Sequence, residues 1–177
     1  MATIRMARPE ASEHAPYYGR YIDLVADGDI VATLASQLAQ ALPFLRGITE
    51  GHGNTRHAPY TWSIKEVIGH LIDTERIFGY RALRFARNDR TPLSGFEEND
   101  YVRNANFDAC SLQALVDEYE ALRRSHISLF GNLSDEAWSR SGSANNSAVS
   151  VRALAYIIAG HERHHVTILR KRLAGVS

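Results

Sequence analysis

His161 and His165 stand four residues apart in a stretch with helical spacing. In a helix they would be offset by about 40° around the axis and about 6 Å along it, so both rings share one face. Leu154, Ile157, Ile158 and Ile168 lie on that face, which makes it the interior one. Burying two imidazoles without partners is costly, and a metal ion bound through ring nitrogens would remove that cost. His70 offers a third imidazole, at the edge of an earlier apolar stripe beside Val67, Thr74 and Ile77. Three histidines from two facing helices leave a coordination position open for water or substrate, as catalytic zinc sites do. The alternative is three unrelated core histidines, each held by hydrogen bonds.

Other side chains could extend or replace this site. His126 falls within a third apolar stripe, as a fourth ligand or as a core histidine bonded to a carbonyl. His164 lies on the flank of the fourth helix. His14, His52 and His57 fall in loops and read as solvated. Glu66 and Asp73 flank His70 and could orient its second nitrogen; otherwise they are a helix cap and a surface charge. Residues 161–165 also match H-E-x-x-H, in which the glutamate polarises metal-bound water, so Glu162 is a candidate catalytic residue. Against a zinc protease, no His, Asp or Glu follows His165, and no strand is evident to shape a cleft. Trp62, Asn99, Asp100 and Tyr101 could line a pocket. Cys110 has no evident base nearby and reads as a small hydrophobe.

Four helices are predicted to carry these residues. The first follows Asp29 as N-cap, with Ile30, Val31, Leu34, Leu38, Leu42 and Leu45 in register, and Pro43 is expected to kink or end it. The second opens on Ser63-Ile64-Lys65-Glu66, a capping box, and runs to about Arg87. The third runs from Ser111 to Gly131. A short turn carries Trp138, and residues 141–147 read as a Gly/Ser/Asn loop. The fourth is capped by Ser150 and runs to about Leu173. Four amphipathic helices without a sheet imply an all-α four-helix bundle over residues 29–177, with a long crossover between the second and third helices. Residues 1–28 read as an extended arm, with Tyr17, Tyr18 and Tyr21 pinning it to the body or lining a site or dimer contact.

The 177 residues include 20 basic and 20 acidic side chains, so the net charge is zero. Nothing in that balance supplies the cationic face that general nucleic-acid binding requires. A single cysteine permits no internal disulfide, and the start has no apolar core of a signal peptide. The longest apolar run is too short to span a bilayer. A cytoplasmic protein acting on a small molecule is expected.

Trp62-Ser63-Ile64-Lys65-Glu66-Val67-Ile68-Gly69-His70-Leu71-Ile72-Asp73, followed by Gly160-His161-Glu162-Arg163-His164-His165, resembles the DinB-like (DinB/YfiT-like) family. The resemblance covers about residues 29–173. It implies a four-helix bundle, commonly dimeric, with a divalent metal held by His70, His161 and His165. Zinc and nickel both suit imidazole. It also implies a transferase that joins a low-molecular-weight thiol of the bacillithiol type to an electrophile. Hydrolysis of a small amide or ester is the alternative, and a non-catalytic, metal-stabilised binding module is a third.

Overall fold

The computed structural model describes residues 7–175. The N-terminal segment predicted as an extended arm begins outside that range. Its described part is compact: single 3-10 turns at Ala11–Glu13 and Pro16–Tyr18 lead into a short helix, α1 (Gly19–Ile22). Tyr21, Ile22 and Val25 are buried, so the segment gains more from docking than from extension.

The bundle consists of α2 (Ile30–Arg46), α4 (Ile64–Ala86), α6 (Leu112–Gly131) and α8 (Val151–Leu173), with a short α3 (Glu50–Gly53) between the first two. Each long helix starts at a side-chain cap. The Asp29 carboxylate accepts from the Val31 amide at 2.9 Å, and Ser111 and Ser150 hydroxyls accept from Ala114 and Ala153 at 3.1 and 2.9 Å. At α4 the Ser63 hydroxyl accepts from Glu66 N at 3.0 Å while Ser63 N donates to the Glu66 carboxylate at 2.6 Å. Pro43 does not end α2: it sits in the last turn, where the helix runs on only to Arg46.

The crossover follows from cross-helix pairs. Arg76 of α4 meets Glu118 of α6, and three residues further on Gly79 packs against the His126 ring, so these neighbours run parallel. Trp62, just before α4, and His70 within it meet Arg172 and His161 of α8, so those run antiparallel. Parallel neighbours oblige the link between them to return along the length of the bundle. That link is not a plain loop. It carries α5 (Glu98–Ala105) and a 3-10 turn at Phe107–Ala109. The Phe107 ring lies flat against Gly69, where a Cβ would overlap it. Asp108 accepts from the Ser63 hydroxyl at 2.6 Å and so ties the link to the start of α4.

After α6 come α7 (Asp135–Ser139) and two strands, β1 (Ser141–Ala144) and β2 (Ser147–Ser150). The expected loop is an antiparallel hairpin with Ser141 opposite Ser150 and Ala144 opposite Ser147. Asn145 and Asn146 take φ of 51° and 59°, the left-handed pair that a two-residue hairpin needs. The strands are too short and polar for an alternating pattern to reveal them. Leu93 of the link bonds to Ser143 and Asn145, which fastens the crossover to this hairpin.

Two apolar clusters fill the bundle, one at each end. One gathers Ile30, Phe78, Phe85, Trp138 and Ile157; the other gathers Leu38, Ile64, Leu115 and Leu169. Between them lies a belt of buried polar residues that includes His70, Glu75, Arg123, His126, His161 and Glu162. Among the described residues no helix is long and apolar enough to cross a membrane.

Candidate metal centre

His70 projects from α4 and His161 and His165 from α8, and their rings converge. The ring centroids are 4.9 Å apart for His70–His161, 4.9 Å for His70–His165 and 4.5 Å for His161–His165. One nitrogen from each lies within 4.8 Å of the others, and the Nε2 atoms of His70 and His161 are 3.0 Å apart. A tetrahedral ion with metal–nitrogen bonds of 2.0–2.1 Å sets its ligands about 3.3 Å apart, so this donor set fits one with small adjustment.

The surroundings favour neutral rings with free lone pairs. Burial pushes His70 down to about 4, with His164 adding to the effect. Burial, then the neighbouring histidines, hold His161 and His165 well below the ordinary histidine value. Among the described residues His165 makes ring contacts and no hydrogen bond. His70 Nδ1 has only the Thr74 hydroxyl, at 3.4 Å. Glu66 and Asp73 do not orient His70: Glu66 is held by Ser63 N and Arg56, and Asp73 lies 3.6 Å from Arg76.

Aromatic rings fix the imidazoles from outside. Trp62 lies 4.8 Å from His70, and Tyr21 lies 5.2 Å from His161 and 5.6 Å from His164. Tyr21 reaches this place because Gly160 lets α1 press onto α8; a Cβ there would overlap the Tyr21 carbonyl. Burial, only partly offset by Arg20, pushes the Tyr21 hydroxyl up to about 12.

The triad stands between two cavities. The larger, about 390 Å³, opens on the His70 and His161 flank and is walled by Tyr17, Tyr18, Tyr21, Phe78, Phe96 and the hairpin turn. The smaller, about 250 Å³, opens on the His165 flank and is lined by Tyr60, Trp62, Val67 and Arg172. Trp62 therefore lines a pocket as expected, and the three tyrosines both pin the N-terminal segment and line the site. Asn99, Asp100 and Tyr101 line neither cavity; Tyr101 packs on Phe96 at 5.2 Å. Cys110 is half-buried against the second apolar cluster.

Glu162 and His126 belong to a different cluster. Glu162 is 3% exposed and its carboxylate accepts from Arg123 Nη1, on the face of α8 turned to α6. The H-E-x-x-H match therefore places no carboxylate beside the triad. Helical geometry gives the reason, since a residue next to His161 points about 100° away from it. His126 bonds through Nδ1 to Glu75 at 3.2 Å and packs over Gly79, away from the other histidines. Sequence reasoning placed Thr74 only beside His70 and missed Arg81, and both line the larger cavity. Their spacing from His70, four and eleven residues on, places them on one helical face and could have revealed them.

The fold is similar to two solved proteins. YfiT from Bacillus subtilis, described as a probable metal-dependent hydrolase with an unusual four-helix bundle topology, has a TM-score of 0.70 at 15% identity. The match covers 99% of this chain and all of YfiT. A mycothiol-dependent maleylpyruvate isomerase has a TM-score of 0.67 at 12% identity, and the match covers 78% of this chain but 58% of the isomerase. No curated protein matches the sequence. The family model described as DinB superfamily matches residues 33–169, so the chain belongs to the DinB superfamily.

Proposed function

We propose that this protein is a divalent-metal enzyme in which His70, His161 and His165 hold zinc or nickel and a low-molecular-weight thiol is joined to a small electrophile. The observation that carries the reading is the largely buried triad of converging imidazoles beside an open cavity, with no carboxylate in the cluster among the described residues. A bound metal would supply acidity, keeping a thiol deprotonated at neutral pH or bringing a water near pKa 7. A thiol gives up its one proton on becoming the nucleophile, whereas hydrolysis of an amide must also pass a proton to the leaving amine, a task for a nearby acid–base side chain. The engagement of Glu162 by Arg123 therefore favours the thiol reaction. Trp62 and Tyr21 restrain the rings, Thr74 faces the second nitrogen of His70, and Tyr17, Tyr18 and Phe96 wall the cavity.

Hydrolysis of a small ester or amide is the second reading, supported by the full-length similarity to YfiT. Metal content by mass spectrometry on tag-free protein, wild type and His70→Ala and His165→Ala, tests both. About one ion per chain, lost in both variants, is expected. Transfer of a thiol to monochlorobimane, without ester turnover, would then select the first reading; the reverse would select the second. A wild type that stays empty after loading with zinc and nickel overturns both. The homodimer implied by the resemblance is part of the proposal, and sedimentation velocity checks it.

A further inference from the structure

Arg81 stands in the wall of the larger cavity, eleven residues after His70 on the same face of α4. That spacing puts it about 16 Å further along the axis, and its side chain leans back toward the triad. The guanidinium carbon sits 5.5 Å from the ring of Phe78 and 5.9 Å from that of Phe96. Arg81 is only 4% exposed, yet no carboxylate pairs with it among the described residues. Nη2 donates to the Ser94 carbonyl at 2.8 Å, and Tyr18 lines the same wall of the cavity. A guanidinium carries five donors, so others remain for a ligand. The two acids that also line the cavity are otherwise placed. Glu97 accepts from Asn99, and Glu98 lies near Arg20 and Tyr18 at the mouth.

A buried cation that lacks a protein anion is an incomplete pair. We infer that Arg81 is the recognition residue for a carboxylate, and that the substrate entering the larger cavity is a small organic acid whose carboxylate seats on Arg81 with its reactive end toward the triad. The planar fork suits a carboxylate bidentately, and the two rings hold it in place. The inference rests on the proposed metal-enzyme reading for the identity of the reactive end, but the anion seat itself needs no metal.

The test uses the full-length, metal-free protein and three probes of equal length: hexanoate, hexan-1-ol and hexylamine. Binding is followed by protein NMR shifts. Wild type is expected to favour hexanoate over the alcohol at least tenfold and to favour the amine least. In Arg81→Met the acid-to-alcohol preference is expected to fall to about one with alcohol binding unchanged, which shows the cavity intact. Arg81→Lys should keep part of the preference, and it serves if Arg81→Met fails to fold. Equal binding of acid and alcohol to the wild type, no measurable binding of either, or a preference that survives in Arg81→Met overturns the inference. Metal content of the same wild-type protein after loading is scored separately. An empty triad with the acid preference intact would sink the metal-enzyme reading and leave the anion seat standing.

Discussion

Two buried polar clusters occupy the middle of this bundle, on opposite sides of α4 and α8. In one, Arg123 donates to both oxygens of Glu75 at 2.7 Å and to Glu162, and His126 completes the contact to Glu75. In the other, His70, His161 and His165 meet one another with a single hydrogen bond among them and Thr74 at the margin. The first cluster is closed. Despite its burial, Arg123 is held well above the ordinary arginine value by Glu75, Tyr119 and Glu162. Glu75, likewise against its burial, is held below the carboxylate range by Arg123 and His126. The second is open, with converging lone pairs, no counter-charge among the described residues and two cavities beside it. Burial of polar groups is thus no sign of function by itself. What distinguishes the triad is that, among the described residues, its rings have one another and the Thr74 hydroxyl but no charged partner.

The largest expected effect tests that contrast directly. Arg123→Met leaves two carboxylates buried without their cation, and breaking such a pair costs about 3–5 kcal/mol. For a domain of this size the melting temperature should fall by roughly 10 °C. His70→Asn in the metal-free protein should change stability by only about 1 kcal/mol, since the bond to His161 and the long contact to Thr74 are lost but no charge is left unpaired. Urea denaturation of both variants checks the pair. Similar losses in the two would erase the distinction between a closed and an open cluster.

Acid should act next most strongly, and through the open cluster. His70 titrates near 4 in the fold against 6.5 for the free side chain. Between those values the unfolded chain binds a proton that the folded chain refuses, so stability falls as pH drops through that window. The loss from His70 alone is on the order of 3 kcal/mol, complete below about pH 4. His161 and His165 are depressed in the same direction and steepen the slope. Stability of metal-free wild type and His70→Asn, measured from pH 7 to 4, should show a shallower fall in the variant. Parallel curves would mean that His70 is not held neutral by the fold.

How much of this was legible beforehand differs between the clusters. The triad was readable, because histidines at i and i+4 inside an apolar stripe are conspicuous by type and by spacing. The four long helices were readable from caps such as Ser63 with Glu66 and from their apolar periods. The closed cluster was not read, although Glu75 follows Leu71 and Ile72 on the α4 stripe and Arg123 falls between Tyr119 and His126 on that of α6. Charged residues within stripes are discounted singly, and their pairing depends on the parallel run of α4 and α6, which is a tertiary fact. The same reason hid the hairpin, whose pattern is too short, and α5, whose helix is mostly exposed and polar. Arg81 escaped because its partner is a cavity built from α1, the link and β1–β2 together.

That cavity gives the third prediction. Gly160→Ala places a methyl group where the Tyr21 carbonyl lies, and backbone cannot step aside as a flexible side chain can. Overpacking of this kind costs about 1–3 kcal/mol. The cost should fall on the docking of α1, since Gly160 lies on the surface that receives it. Amide hydrogen exchange is expected to accelerate in residues 19–25 before it changes in α4 or α6. An unaltered exchange pattern would show that close packing at Gly160 does not hold Tyr21 over His161.

The smallest effect sharpens the contrast most finely, because it concerns the next residue in the chain. Arg124 has the same side chain as Arg123 and also pairs with a glutamate, Glu120, at 2.7 Å. The two arginines point about 100° apart around α6, one inward and one to solvent. The side chain of Arg123 is 0% exposed and that of Arg124 is 65% exposed. In water the charges are screened, and the gain is offset by the entropy of holding two long side chains together. Arg124→Ala should therefore cost no more than about 0.5 kcal/mol, and less at high salt. Urea titrations at low and high salt check this against Arg123→Met, whose loss should be nearly indifferent to salt because ions do not reach the pair. If the two substitutions cost alike, the pairing of charges rather than their enclosure would set the energy, and the closed cluster would lose its claim to be what locks α4, α6 and α8 together behind the triad.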